Sequence, residues 1–185
     1  MAFRFTPASI PTVIVIEPLI IPDDRGFFVE TYKRSEFAAN GITDTFLQCN
    51  QSRSVRGTLR GLHYQRSPKS QGKLVHVLYG EIYDVAVDLR ADVSTYGKWT
   101  AVPLSSQNKK ILYVPPGFAH GFCVISDEAE VSYMTSEEYA PSLEGGVLWN
   151  DPDLNIVWPI TEPQLSDRDR AWPRLKDADH PRLRE

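Results

Sequence analysis

The stretch Ile82-Tyr83-Asp84-Val85-Ala86-Val87-Asp88-Leu89 decides the fold class. Ile82, Val85 or Ala86, Val87 and Leu89 compete for one side, while Asp84 and Asp88 share the other, which is the two-residue period of a half-buried strand. In a small barrel the polar side of such a strand points into a cavity. Further β-rich runs stand at 12–16, 27–31, 74–78, 110–114, 121–125 and 130–135, and 14 prolines and 11 glycines punctuate the chain. Many short strands with turns between them predict an all-β sandwich or barrel. Helix signals are few. Ser35 as N-cap, followed by Glu36, Phe37, Ala38 and Ala39 and closed by Asn40 and Gly41, predicts about two helical turns. A short turn is expected after Ser105, and irregular structure with short helical turns from Thr161 onward.

A chain of 185 residues, 42% of them hydrophobic, can bury a core as one domain over 1–185 without disulfides or a structural metal. Cys49 and Cys123 both lie in strand-like runs and read as two buried thiols in a reducing compartment, which points to the cytoplasm. The N-terminal residues lack a cationic segment leading into a long apolar run. No stretch approaches 18 uninterrupted apolar residues, so no membrane association is expected. A formal net charge of -4 argues against nucleic acid as a partner. An anionic ligand must then meet a local cluster of arginine and lysine.

Of the four histidines, His63 in RGLHYQ and His120 in PPGFAHGF sit in unusual settings. His76, mid-strand, and His180, in a polar tail, read as ordinary structural or solvated residues. The spacing Pro115-Pro116-Gly117-Phe118-Ala119-His120 is similar to the second sequence element of cupin barrels. That predicts a cupin-like double-stranded β-helix (jelly-roll) barrel with a few short helices. Metal cupins place His-x-His in their first element, but His63-Tyr64-Gln65 stands here. Two histidines make a poor metal site, so no metal and no cofactor are expected.

A histidine on a polar barrel wall is instead suited to be a general base, because its ordinary pKa leaves it largely neutral near pH 7. It needs an orienting carboxylate, for which Asp84, Asp88, Asp167 and Asp169 are candidates. Lys73 stands with Arg25 and Arg60 among the basic residues; arginines beside glycines are suited to phosphate oxygens, while Arg53, Arg56 and Lys69 read as solvated charge.

The series DDRGFFVETY, QCNQS, GTLRGLHYQ, QGKLVHVLYGEIYDVAVDLR, VPPGFAHGF, GGVLWNDPDLNIVWP and LSDRD closely resembles the dTDP-4-dehydrorhamnose 3,5-epimerase family over nearly the whole chain. Met134 and His76 depart from the family's usual residues at those positions. The resemblance implies a metal-independent barrel, a homodimer that exchanges strands, and a dTDP-linked 4-keto-6-deoxy sugar as substrate. It implies inversion of carbons 3 and 5, which flank the ketone. It assigns His63 as base, Asp169 as its orienting carboxylate, Tyr133 as acid on the opposite face, and Lys73 as the cation that holds the keto oxygen. Arg25 and Arg60 become phosphate ligands, Phe28 and Glu30 contacts to base and ribose, and Gln48, Asn50, His120 and Tyr139 further substrate contacts. Trp149 falls to the rim or to a structural role. Relatives that invert only carbon 3 or only carbon 5 carry much the same set, and a metal cupin is the remaining alternative.

Overall fold

The computed structural model describes residues 2–179. The described residues form thirteen strands and two short α-helices. In chain order these are β1 (Phe3–Pro7), β2 (Ile14–Pro18), β3 (Ile20–Asp23), β4 (Gly26–Val29), α1 (Arg34–Ala39), β5 (Gln48–Val55), β6 (Leu59–Gln65) and β7 (Lys73–Tyr79). They continue as β8 (Glu81–Asp88), β9 (Trp99–Ser105), β10 (Ile111–Val114), β11 (Phe118–Val124), β12 (Glu128–Thr135), β13 (Glu144–Gly146) and α2 (Asp167–Ala171). A six-stranded sheet runs β1-β2-β10-β7-β12-β5, a five-stranded sheet runs β13-β6-β11-β8-β9, and β3 and β4 form a separate hairpin. All ladders between these strands are antiparallel.

The two large sheets face each other, and alternation along each strand decides what lies between them. Val75, Val77, Leu112, Val114 and Val131 from one sheet meet Ile82, Ala86, Leu104, Phe118 and Phe122 from the other in a dry core. Further along the same strands the inward positions turn polar: Lys73 follows Val75 back along β7, Tyr133 and Thr135 follow Val131, and His120 stands between Phe118 and Phe122. One end of the barrel is therefore packed and the other is a polar cavity.

Each sheet is also covered outside. Leu62, Val85, Val87, Leu89 and Ala119 pack under Val147, Leu154 and Leu175 from the late chain. On the other sheet Phe37 of α1 covers Ile16, Leu74, Ile111 and Tyr113. Complete burial of Phe37 stabilises that packing by about 2–3 kcal/mol.

Several expectations need correction. β8 is covered on both faces, because late-chain loops lie over Val85, Val87 and Leu89, and Asp84 and Asp88 are themselves fully buried. Asp88 faces no cavity; Arg90 and the Thr95 hydroxyl pair with its carboxylate. The N-cap of α1 is Lys33, whose side chain makes no capping bond, while the stop at Asn40 and Gly41 is as expected. Cys49 is exposed, since it points outward from edge strand β5; Cys123 is buried. The turn after Ser105 forms through a reciprocal pair of bonds between Ser105 and Asn108. His76 is a partly buried mid-strand residue of β7, and His180 lies outside the described residues. Among the described residues no helix is long and apolar enough to cross a membrane.

Candidate active site

The polar end of the barrel holds a cavity of about 460 Å³. His63 on β6 and His120 on β11 are register partners on adjacent strands of the five-stranded sheet. Gly61 and Gly121 allow this crossing: Gly61 has φ +144°, and a Cβ on it would lie 2.6 Å from the Gly121 Cα. Lys73 and Tyr133 reach the cavity from β7 and β12 of the six-stranded sheet, so they stand on the wall opposite the two histidines. Gln48 and Asn50 on β5, Arg60 on β6 and Tyr139 complete the lining foreseen from the sequence.

Asp169 arrives from 106 residues further along the chain. Its Oδ1 lies 2.5 Å from Nε2 of His63. The segment that brings it is held at Gln164, whose backbone bonds to Gly57 and Leu59, and the Ser166 hydroxyl caps α2 by accepting from the Asp169 amide at 3.1 Å. After α2, the Trp172 ring lies against Gly146, where a Cβ would come within 2.3 Å of it, and its centroid is 6.1 Å from the His63 ring. Asp84, a candidate partner for His63, instead faces His120: its two oxygens lie 2.9 and 3.0 Å from Nε2.

Burial lowers the pKa of His63 and outweighs the hydrogen bond to Asp169, which acts the other way, so the ring is neutral and able to accept a proton at neutral pH. Burial also brings Lys73 down to about 8, against the pull of Asp84 and Glu144. Its ammonium donates to the His63 carbonyl at 3.3 Å. Burial would raise Asp169, but hydrogen bonds from His63 and Ser166 win and keep its carboxyl below the usual range. Burial raises the Tyr133 phenol, which is therefore a neutral proton donor in the working range.

The structure does not bring Arg25, Phe28 and Glu30 to this cavity. They belong to the β3–β4 hairpin and its exit, where Arg25 pairs with Asp23 and Phe28 is 63% exposed. Trp149 also lies off the cavity, its carbonyl accepting from the Trp158 indole at 2.8 Å. Arg53 and Arg56 form exposed pairs with Glu128 and Asp127. Residues that sequence reasoning missed are Glu144 and Arg168, ion-paired at 2.8 Å, with the Tyr139 hydroxyl donating to the same Glu144 oxygen at 3.0 Å. Arg168 stands inside the LSDRD motif; Glu144 carried no local signal. Among the described residues no group of three or more His, Cys, Asp or Glu side chains is gathered as a metal site.

Comparison with known proteins identifies the family. The family model described as dTDP-4-dehydrorhamnose 3,5-epimerase matches residues 7–177. A dTDP-4-dehydrorhamnose 3,5-epimerase of Methanothermobacter thermautotrophicus is 48% identical over 178 residues, covering 95% of this chain and 96% of the relative. The crystal structure of a dTDP-6-deoxy-D-glucose-3,5-epimerase from Legionella pneumophila, in complex with dTDP-4-keto-L-rhamnose, superposes with a TM-score of 0.94 at 44% identity, covering 99% and 100% of the two chains. A dTDP-4-dehydrorhamnose 3-epimerase of Streptomyces niveus is 42% identical over 95% of this chain and 85% of its own length.

Proposed function

The chain belongs to the dTDP-4-dehydrorhamnose 3,5-epimerase family, and from that premise we propose that it converts dTDP-4-dehydro-6-deoxy-D-glucose to dTDP-4-dehydro-L-rhamnose by inverting carbons 3 and 5. The observation that carries the proposal is the pairing of His63 with Asp169 on one wall and Tyr133 on the opposite wall. A ketone acidifies the C–H bonds on both of its flanks, so one base serves both carbons. His63 holds its Nε2 proton towards Asp169 and accepts the carbon-bound proton at Nδ1. The electron pair moves onto the keto oxygen, where the Lys73 ammonium stabilises the enolate. Tyr133 returns a proton to carbon from the other side, and exchange with solvent takes the proton from His63 and restores that of Tyr133 before the second carbon reacts. Removal from one face and delivery to the other is inversion.

Arg60 takes diphosphate oxygens; the Ser54 hydroxyl accepts from its Nε at 3.0 Å and leaves the terminal nitrogens for the ligand. Gln48 and Asn50 bond to each other at 2.8 Å and offer polar contacts in the same cleft. The hairpin holding Arg25 and Phe28, with Glu30 at its exit, serves the cavity of a second copy in a strand-exchanging homodimer. Support comes from its exposed apolar surface: Leu19, Ile21, Phe27 and Phe28 are each more than half exposed. Cytoplasmic work suits two free thiols, one of them exposed.

The similarity to a 3-epimerase supports a second reading, inversion at carbon 3 alone. Incubation of the purified protein with dTDP-4-dehydro-6-deoxy-D-glucose, without added metal, separates the two by proton NMR of the product. The L-rhamno configuration bears out the double inversion, a product inverted only at carbon 3 supports the second reading, and unchanged substrate contradicts both.

A further inference from the structure

Asp84 is a fully enclosed carboxylate that the mechanism above does not use. An ionised carboxylate buried to this degree needs a donor, and the ring nitrogen between its two oxygens, Nε2 of His120, supplies it. A carboxylate only accepts, so Nε2 must carry the proton. In the neutral ring Nδ1 then holds a lone pair. His120 lines the cavity whereas Asp84 does not, so it is the histidine that presents this choice to a ligand. His63, its register partner on the adjacent strand, is fixed through Nε2 by Asp169 in the same way. Two carboxylates therefore turn two histidines into acceptors, while the donors Lys73 and Tyr133 stand on the facing wall.

We propose that Asp84 is a positioning residue that fixes His120 as a hydrogen-bond acceptor, so that His120 takes a sugar hydroxyl and the ketone is directed to Lys73. This rests on the keto-sugar reading above. A carbonyl oxygen set against a lone pair is repelled, whereas a hydroxyl donates to it. The preference would align the sugar before any proton moves, leaving the carbons beside the ketone within reach of His63. Asp84→Asn reverses the arrangement: the amide N–H donates to Nε2, the proton moves to Nδ1, and the cavity side of His120 becomes a donor competing with Lys73 for the ketone.

The test is long-range proton–nitrogen NMR of protein labelled with 15N-histidine at pH 7.5, with the His120 signals identified by their loss in His120→Gln. The wild type is expected to show the Nε2–H tautomer at His120, and Asp84→Asn the Nδ1–H tautomer, with the His63 signals unchanged. A merely structural role for Asp84 would disturb both rings. With the tautomer reversed, kcat should fall about 10-fold or more, as expected when one hydrogen bond that aligns the substrate is lost. Nδ1–H or a doubly protonated ring in the wild type would overturn the proposal, as would reversal of the tautomer with full kcat retained. Should Asp84→Asn fail to fold, the wild-type spectrum decides alone. Failure of the wild type to turn over the keto-sugar would count against the proposed function and leave the tautomer result standing.

Discussion

Nε2 of His63 lies 2.5 Å from Oδ1 of Asp169, although 106 residues separate them in the chain. The chemistry of the cavity depends on this meeting, because the carboxylate fixes which nitrogen of the ring is free to take a proton and stabilises the imidazolium that results.

Asp169→Asn should leave the barrel folded and substrate binding nearly intact, yet lower kcat by about 10²- to 10⁴-fold, since an amide N–H facing Nε2 puts the proton on the wrong nitrogen. Steady-state kinetics read this directly. A comparable rise in KM at unchanged kcat would show that Asp169 acts in binding instead.

Tyr133→Phe removes the donor on the β12 wall and spares the base on β6. Loss of substrate hydrogen to deuterated solvent should continue, while formation of the inverted product drops by about 100-fold or more. NMR follows both in one sample. Equal loss of exchange and inversion would remove the distinction between base and acid.

The pH dependence of kcat/KM should be bell-shaped. Abstraction needs neutral His63, and since burial depresses its pKa, activity falls only as pH drops below the ordinary histidine range. The enolate needs the Lys73 ammonium, so activity falls as pH rises through about 8. Lys73→Met should lower kcat at every pH and abolish the alkaline limb; an unaltered limb would assign it to another group.

Gly146→Ala places a methyl group inside the Trp172 ring. The shift needed to relieve it moves the chain that leaves α2 and draws Asp169 away from His63. Overpacking of this kind costs about 1–3 kcal/mol. Thermal unfolding should show that loss, with a fall in kcat larger than in a variant of equal stability altered in the apolar half of the barrel.

Much of this was legible in the sequence, for uneven reasons. β7, β8, β10, β11 and β12 stood out as short runs rich in apolar and β-branched side chains. β5 did not, because an edge strand whose inward side chains line a polar cavity reads as Gln48-Cys49-Asn50-Gln51-Ser52, without periodicity. β9 was hidden by Pro103, which its place at the sheet edge tolerates. His120 was singled out by the spacing Pro115-Pro116-Gly117-Phe118-Ala119-His120 and His63 by its setting in RGLHYQ, whereas choosing Asp169 over Asp84 needed either family resemblance or three dimensions: both are buried carboxylates paired to a histidine, and only the fold says which pairs with which. Glu144 escaped because nothing near it in the chain hints at Arg168 and Tyr139.

Deuterium incorporation from deuterated water into dTDP-4-dehydro-6-deoxy-D-glucose, compared between the wild type and His63→Asn, shows whether His63 is the base. The wild type should place deuterium at carbons 3 and 5 of the inverted product, and His63→Asn at neither, with dTDP still bound at close to wild-type affinity. Deuterium entering either carbon at the wild-type rate in His63→Asn would contradict the assignment of His63 as the base.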